Sequence, residues 1–397
     1  MKKLLMATAA TALTAGGAMA ESHASEVKFG VLLGFTGPIE SLTPMMGDSA
    51  ELALTEVNES GNFLDGVTLT ATRADTTCVD ASAATAAAEQ LVSEGVVAIV
   101  GAACSGSSTA VLANVAVPNG VPMISPSSTS PALSTAEDNG LFFRTAPSDA
   151  RQGEVLANVL MDKGVDTVAV TYTNNDYGKG FSDAFAAAFE GAGGTITTSV
   201  AHEDGKGDYS AEVGALASAG GDALVVLGYA DQGGKGVIQS SLDTGAFDTF
   251  VMGDGMYADA LLADLGGDME GSYGTVPWSE GEGADAFKAI TEAAGINGES
   301  SFTRESYDAA ALLALAAMKG GAATSEAIAA NIMDVANAPG EPILPGELGK
   351  ALQILADGGE VDYVGATNVE LVGPGEAAGS YREYVIKGGA YETVTFR

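Results

Sequence analysis

The sequence predicts an α/β protein of two doubly wound lobes, on three observations. Short, near-continuously apolar runs alternate with Ala-rich helical patterns, and that alternation occurs twice, in arrays of about 120 residues each. Runs such as Val96-Val97-Ala98-Ile99-Val100 and Ala223-Leu224-Val225-Val226-Leu227 lack polar alternation, as strands do in a parallel sheet covered on both faces. The length, 397 residues, leaves room for two or three domains at roughly 100–200 residues each.

The first array opens with a strand at Val27–Leu33. Ala50, Ala53, Leu54 and Val57 then fall on one helical face. Val67–Ala71, Val96–Val100, Pro122–Ser125 and Leu141–Arg144 are the next strands. The pattern restarts with a helix at Gln152–Lys163, a strand at Thr167–Tyr172, a helix at Lys179–Glu190 and a strand at Thr195–Val200. A helix at Ser210–Ala219, a strand at Ala223–Gly228, a helix at Gly234–Leu242 and a strand at Phe250–Gly253 follow. The last stretch is mainly helical (Ala284–Gly295, Arg304–Met318, Ser325–Ala336) and closes with a hairpin, Tyr381–Ile386 and Tyr391–Phe396, around Gly388-Gly389.

Composition excludes several function classes. A hydrophobic fraction of 46% with 17% charged residues describes a packed chain rather than a disordered acidic one. A net charge of −35 repels phosphate backbones and anionic lipid, so no nucleic-acid or membrane-surface partner is expected. Two His leave little for a His-rich metal site or a neutral general base, and no metal or cofactor is called for.

Residues 1–20 carry Lys2 and Lys3, an apolar stretch from Leu4 to about Ala15, and Ala18-Met19-Ala20, the build of a cleaved export signal. The apolar run is too short and too interrupted for a membrane span. Cleavage after Ala20 would leave Glu21 first and no Cys before Cys78, hence an exported protein without a lipid anchor. In an oxidising compartment, Cys78 and Cys104, the only two cysteines, are expected to pair. The alternatives are two buried thiols or a nucleophile.

Two strand ends run into loops crowded with hydroxyls and free of charge: Gly101–Thr109, and Pro126-Ser127-Ser128-Thr129-Ser130-Pro131. Hydroxyls and helix-terminal amides suit a small anion such as a carboxylate, although any one of these residues could simply cap a helix. Gly101–Ser108 has phosphate-loop spacing, but Ser107 stands where the lysine must be. Ser105 on a strand-to-helix turn lacks both the Gly-x-Ser-x-Gly flanks and a histidine partner, since His23 lies in a polar lead-in and His202 is expected on the surface. In the second array Asp254 follows the strand at Phe250–Gly253, Tyr229 follows Ala223–Gly228, and Tyr177 follows Thr167–Tyr172. Open parallel sheets bind ligands beyond the C-terminal ends of their strands. Two such sheets facing each other would set an acid against the hydroxyl loops, the arrangement of a zwitterion receptor. The tyrosines could equally be core or rim residues.

Several short motifs recur here in a specific order. They are Gly34-Phe35-Thr36-Gly37-Pro38, the pair Cys78/Cys104, Cys104-Ser105-Gly106-Ser107-Ser108, Pro126–Pro131, Tyr177-Gly178-Lys179-Gly180 and Tyr307-Asp308-Ala309. In these the chain resembles the periplasmic substrate-binding proteins of ABC importers of the leucine/isoleucine/valine-binding type (type I fold), over nearly its whole exported length. The resemblance implies that Ser105, Thr129 and the backbone at Ser127 hold a ligand carboxylate, that Tyr177 and Tyr229 close over the ligand, and that Asp254 takes its ammonium. It also implies a monomer in the periplasm that is not an enzyme and delivers its ligand to a membrane permease. The expected lobes are residues 26–145 with 276–375, and 146–275 with 376–397, joined by a three-segment hinge near Arg144–Pro147, Tyr273–Pro277 and Val372–Gly379. Two departures bear on the ligand: Asp stands where branched-chain binders often have Glu, and Ser41–Met46 replaces the family's first-loop aromatic. An amide, a urea-like compound or an aromatic acid are the other ligands of similar proteins. A secreted serine hydrolase and a sensor domain are the other function classes.

Overall fold

The computed structural model of the protein describes residues 26–397, so the expected export signal lies outside the described residues. Five strands of the first array form a parallel sheet: β1 (Glu26–Leu33), β2 (Thr68–Asp75), β3 (Val96–Gly101), β4 (Met123–Ser125) and β5 (Phe142–Arg144), in the order β2-β1-β3-β4-β5. The second array repeats that order with β6 (Thr167–Thr173), β7 (Thr195–His202), β8 (Ala223–Leu227), β9 (Phe250–Met252) and β10 (Tyr273–Pro277): β7-β6-β8-β9-β10, again parallel. Strand order reverses in each sheet beside the first strand of its array, which opens a crevice there at the C-terminal edge. The apolar runs are strands because helices cover both faces; all five residues of β8 are buried.

The chain passes between the sheets three times. It leaves the first after β5 and returns after β10. Residues 341–343 (β11) and 361–363 (β12) form a small parallel pair. Leu371–Val372 (β13) and Glu376–Ala377 (β14) then extend the first sheet beyond β5. The third passage ends at Tyr381–Lys387 (β15), which pairs antiparallel with β10 and with Ala390–Phe396 (β16), the hairpin around Gly388-Gly389. Glu376 stays with the first sheet, just past the expected boundary at 375, because its carboxylate meets the buried Arg144 guanidinium at 2.5 Å. The three passages lie side by side. The Trp278 amide donates to the Ser380 carbonyl at 2.9 Å, and a side chain at Gly379 would collide with Pro147.

The helix at Thr43–Ser60 starts well before the apolar spacing that announces it, with Pro44 in its first turn, and ends at Gly61 in the left-handed region. It packs on Thr303–Gly320, whose run Ala309–Ala317 is entirely buried in the first lobe. The helix Leu348–Ala356 has no sequence signal at its start; Glu56, from a distant helix, accepts the Leu348 amide at 2.7 Å. The surface role expected for His202 is corrected. The ring is buried on Thr171, 2.8 Å from its hydroxyl, and that desolvation pushes its pKa down to about 4. Among the described residues no helix is long and apolar enough to cross a membrane.

Candidate functional site

The crevices of the two sheets face each other. On the first lobe β3 ends at Gly101, where φ is +136° and a side chain would strike the Leu32 carbonyl, so only glycine lets the chain turn there. The helix Ser105–Val111 begins immediately after Cys104, which is joined to Cys78 with Cα atoms 5.5 Å apart. The bridge ties the loop after β2 to the start of this helix, and a side chain at Gly34 would collide with Cys78 Sγ, its Cβ 2.4 Å away.

Hydroxyls lock this loop to the one after β4. Ser125 Oγ donates to the Ala102 carbonyl at 2.6 Å, Ser127 Oγ to the Ala103 carbonyl at 2.8 Å, and Ser108 and Ser128 share a 2.8 Å hydrogen bond. Most of the serines that mark the motif are therefore spent on holding the two loops together. Ser105 Oγ accepts the Ser130 amide at 3.2 Å and keeps its own proton to give. Thr129 Oγ1 is buried without a hydrogen bond in the protein.

On the second lobe, Asn175 caps the helix Asp176–Gly191 by accepting the Gly178 amide at 3.0 Å, which sets Tyr177 in the first turn. Gly178 is required there, since a Cβ would lie 2.2 Å from the Thr173 carbonyl. The Tyr177 and Tyr229 rings stack at 5.1 Å. Asp254 opens the turn after β9. The glycines on both sides of it permit close approach to Phe181 and to the Gly228 carbonyl. Tyr177 Oη donates to Asp254 Oδ1 at 2.8 Å and accepts the Gly255 amide at 3.2 Å. Burial raises the Asp254 pKa to about 6, against the hydrogen bonds that favour its charge.

One interlobe cavity gathers Ser105, Ser127, Tyr177, Tyr229 and Asp254, with Ile39, Leu42, Met46 and Phe302 as its apolar wall. Thr129 is not part of that lining and lies just behind it, beside Asp149. The lobes enclose only about 20 Å³ of free space here, so a ligand of amino-acid size needs them to part. They also meet at the mouth, where Asp231 accepts the Ser41 amide at 2.8 Å.

Sequence reasoning missed three residues. Phe302, at the start of the helix Thr303–Gly320, has φ +62°, rare for a bulky residue, and this conformation turns it onto the cavity. A lone aromatic in the polar stretch Gly298–Thr303 was the available signal. Ile39 carried none. Asp149 opens the helix Asp149–Asp162 after the cap Ser148, so in sequence it reads as an ordinary acidic first turn. In the fold it is fully buried beside Thr129, whose carbonyl accepts its amide at 2.8 Å. Desolvation first, then the Asp254 charge, pushes its pKa well above the carboxylate range, against the Thr129 hydroxyl and the Arg144 charge, which favour the ionised form.

Residues 26–348 match the family model described as "Periplasmic binding protein". A Leu/Ile/Val-binding protein homolog of Brucella melitensis is 32% identical over 59% of this chain and 62% of its own. A leucine-, isoleucine-, valine-, threonine- and alanine-binding protein of Pseudomonas aeruginosa is 29% identical over 79% of this chain and 84% of its own. The crystal structure of a leucine-binding protein, LivK, from Thermotoga maritima superposes with a TM-score of 0.76 at 24% identity, covering 93% of this chain and 98% of that one. With two 2-1-3-4-5 sheets, a cleft at their paired switch points and a family match over most of its length, the chain belongs to the periplasmic binding protein family.

Proposed function

We propose that this protein is the extracytoplasmic solute-binding component of an ABC importer, and that it captures an α-amino acid between its lobes as a monomer and presents the closed form to a membrane permease. The observation that carries the reading is the polarity of the cleft. Uncharged Ser105 and Ser127 line the first-lobe side, and the buried Asp254, oriented by Tyr177, lines the second-lobe side. A zwitterion satisfies both ends at once; a simple carboxylate leaves the acid unpaired, which is costly in a buried site. Ile39, Leu42, Met46 and Phe302 then receive an apolar side chain. Ligand binding to one lobe and closure of the other over it shifts an open–closed equilibrium. The relatives' printed names, which include leucine, isoleucine, valine, threonine and alanine binding, support an aliphatic amino acid. No catalytic role is assigned to Ser105, whose oxygen accepts a backbone amide rather than facing an imidazole. A thermal-shift screen of the purified protein against the twenty L-amino acids, amides and aromatic acids tests the reading. Aliphatic amino acids are expected to raise the melting temperature, and a response confined to the other classes would refute it.

A further inference from the structure

The two first-lobe segments that form the apolar wall of the cleft also hold the second lobe. Ile39 and Leu42 line the cavity. Between them, the Ser41 amide donates to Asp231 Oδ2 at 2.8 Å, and the Asp231 amide donates back to the Pro38 carbonyl at 3.2 Å. Phe302 supplies the rest of the wall. Its neighbour Ser301 is buried and donates its hydroxyl to the Tyr257 carbonyl at 3.0 Å, and Asn297 donates to Asp259 at 3.2 Å. The second-lobe partners are tied to the lining in the same way. Asp231 lies two residues after Tyr229, and the Ala230 amide between them donates to the Gly255 carbonyl, beside Asp254, at 3.0 Å. Tyr257 lies three residues after Asp254. Each wall segment is also pinned within its own lobe: the Thr43 hydroxyl donates to the Gly34 carbonyl at 2.9 Å, and the Ser49 hydroxyl to the Thr303 carbonyl at 2.7 Å.

We propose that Asp231 and Ser301, neither of which lines the cavity, are specificity-determining residues: their grips form on wall segments set in place by the ligand's side chain, which is therefore read as the lobes close. The inference rests on the amino-acid reading above and deepens it. A hydrogen bond between lobes exists only when the lobes are together, so it favours the closed form and adds nothing to capture on one lobe. The Ser41 amide and the Ser301 hydroxyl reach the second lobe only while their segments hold one conformation, and that ordering costs entropy. An apolar side chain packed on Ile39, Leu42 and Phe302 offsets the cost, because it touches the residues on both sides of Ser41 and the one next to Ser301. A short side chain leaves the wall without that contact, and the grips return less. The ligand's side chain and Asp231 are then coupled energetically without touching.

The test compares the wild type with D231A and S301A, whose ligand-free melting temperatures are expected to stay at the wild-type value. The probes are the tightest-binding aliphatic L-amino acid and L-alanine, with glycine in its place where alanine is itself the tightest. Calorimetry gives the affinities, and release of the radiolabelled amino acid gives the off-rate. D231A is expected to release the tighter amino acid about ten-fold faster and S301A about five-fold faster, as for loss of a charged and a neutral hydrogen bond, with association rates within about two-fold. Affinity for the shorter amino acid is expected to change by no more than about two-fold, so that the preference narrows. D231N keeps an acceptor oxygen for the Ser41 amide and is expected to retain most of the slow release. Equal losses for both amino acids, slower association with an unchanged off-rate, or wild-type behaviour of both alanine variants overturns the inference and leaves the amino-acid reading standing. Failure of the wild type to bind any aliphatic amino acid overturns both.

Discussion

Tyr177 gives its only proton to Asp254 Oδ1 while taking one from the amide of Gly255, so the ring oxygen and the carboxylate are fixed to each other from two directions. Asp254→Ala is expected to remove the counter-charge to the ligand ammonium and cost about 2–5 kcal/mol of binding, roughly 30-fold to several thousand-fold. Tyr177→Phe keeps the ring stacked on Tyr229 and loses only the hydroxyl, an expected loss of about 1 kcal/mol, near five-fold. Titration calorimetry of both variants with the wild type's amino-acid ligand measures the two values. Equal effects would mean that the hydroxyl, and not the charge, holds the ligand.

The hydroxyl loops differ in what they can spare. Ser105 lines the cavity and retains its proton for a ligand, and Thr129 lies just behind the lining, whereas Ser125, Ser127 and Ser128 donate to loop carbonyls. Ser105→Ala and Thr129→Ala are each expected to weaken binding by about 1 kcal/mol or more with little change in melting temperature. Ser125→Ala is expected to destabilise the fold instead, because it removes the shortest hydrogen bond on the buried Ala102 carbonyl and takes the Ser128 amide's partner away. Paired binding and melting measurements separate the two behaviours.

Much of this arrangement could be read before the fold was known, for identifiable reasons. The strands announce themselves because burial on both faces forces unbroken apolar runs, as at Val96–Val100. Ser105, Tyr177 and Asp254 could be singled out because position at a strand end is written in the sequence, and ligand clefts form at strand ends. Asp149 could not. Its complete burial arises only from three-dimensional packing, and locally it is indistinguishable from a helix-start acid. His202 misled for the converse reason: strand β7 alternates exposed and half-buried positions, and it is the packing of Tyr209 and Gly233 against the ring that buries His202 completely at the end of the inner row. The helix Leu348–Ala356 was hidden because its first amides are satisfied by Glu56, nearly three hundred positions earlier.

Trp278, the sole tryptophan, lies at the second passage between lobes with its ring between two guanidinium groups. Arg304 of the first lobe is 3.7 Å from the ring centroid and Arg382 of the second is 3.6 Å. Parting of the lobes changes that stack, so tryptophan emission is expected to shift in intensity or wavelength when ligand is added. A fluorescence titration should return the calorimetric affinity, and Trp278→Phe should abolish the signal while leaving binding within a few-fold. A flat emission trace during saturating binding would mean that the stack moves as one body.

Glu305 sits beside the same hinge, under Thr145, whose hydroxyl donates to its carbonyl at 2.8 Å. Burial pushes its carboxyl up to about 8, with the charge of Arg304 opposing the shift and that of Asp308 adding to it. A folded-state pKa above the unfolded value means that the folded chain holds a proton which the unfolded chain has lost. That stability is complete below the ordinary glutamate range and drains away as pH rises through about 8. His202 acts oppositely, its contribution fading only as pH falls from 6.5 toward about 4, so it is silent above neutrality. The melting temperature of the ligand-free protein is therefore expected to fall by a few degrees between pH 6.5 and pH 9. Glu305→Gln should flatten that slope.

The most direct measurement is titration of the wild-type protein with its tightest amino acid beside two modified forms, one with the amine acetylated and one with the carboxyl converted to an amide. If the lobes clamp a zwitterion between the Ser105/Thr129 hydroxyls and Asp254, the free amino acid binds and each modified form loses at least a hundred-fold in affinity (about 2.7 kcal/mol). Comparable binding of all three would contradict it, because the cleft would then be reading the side chain alone.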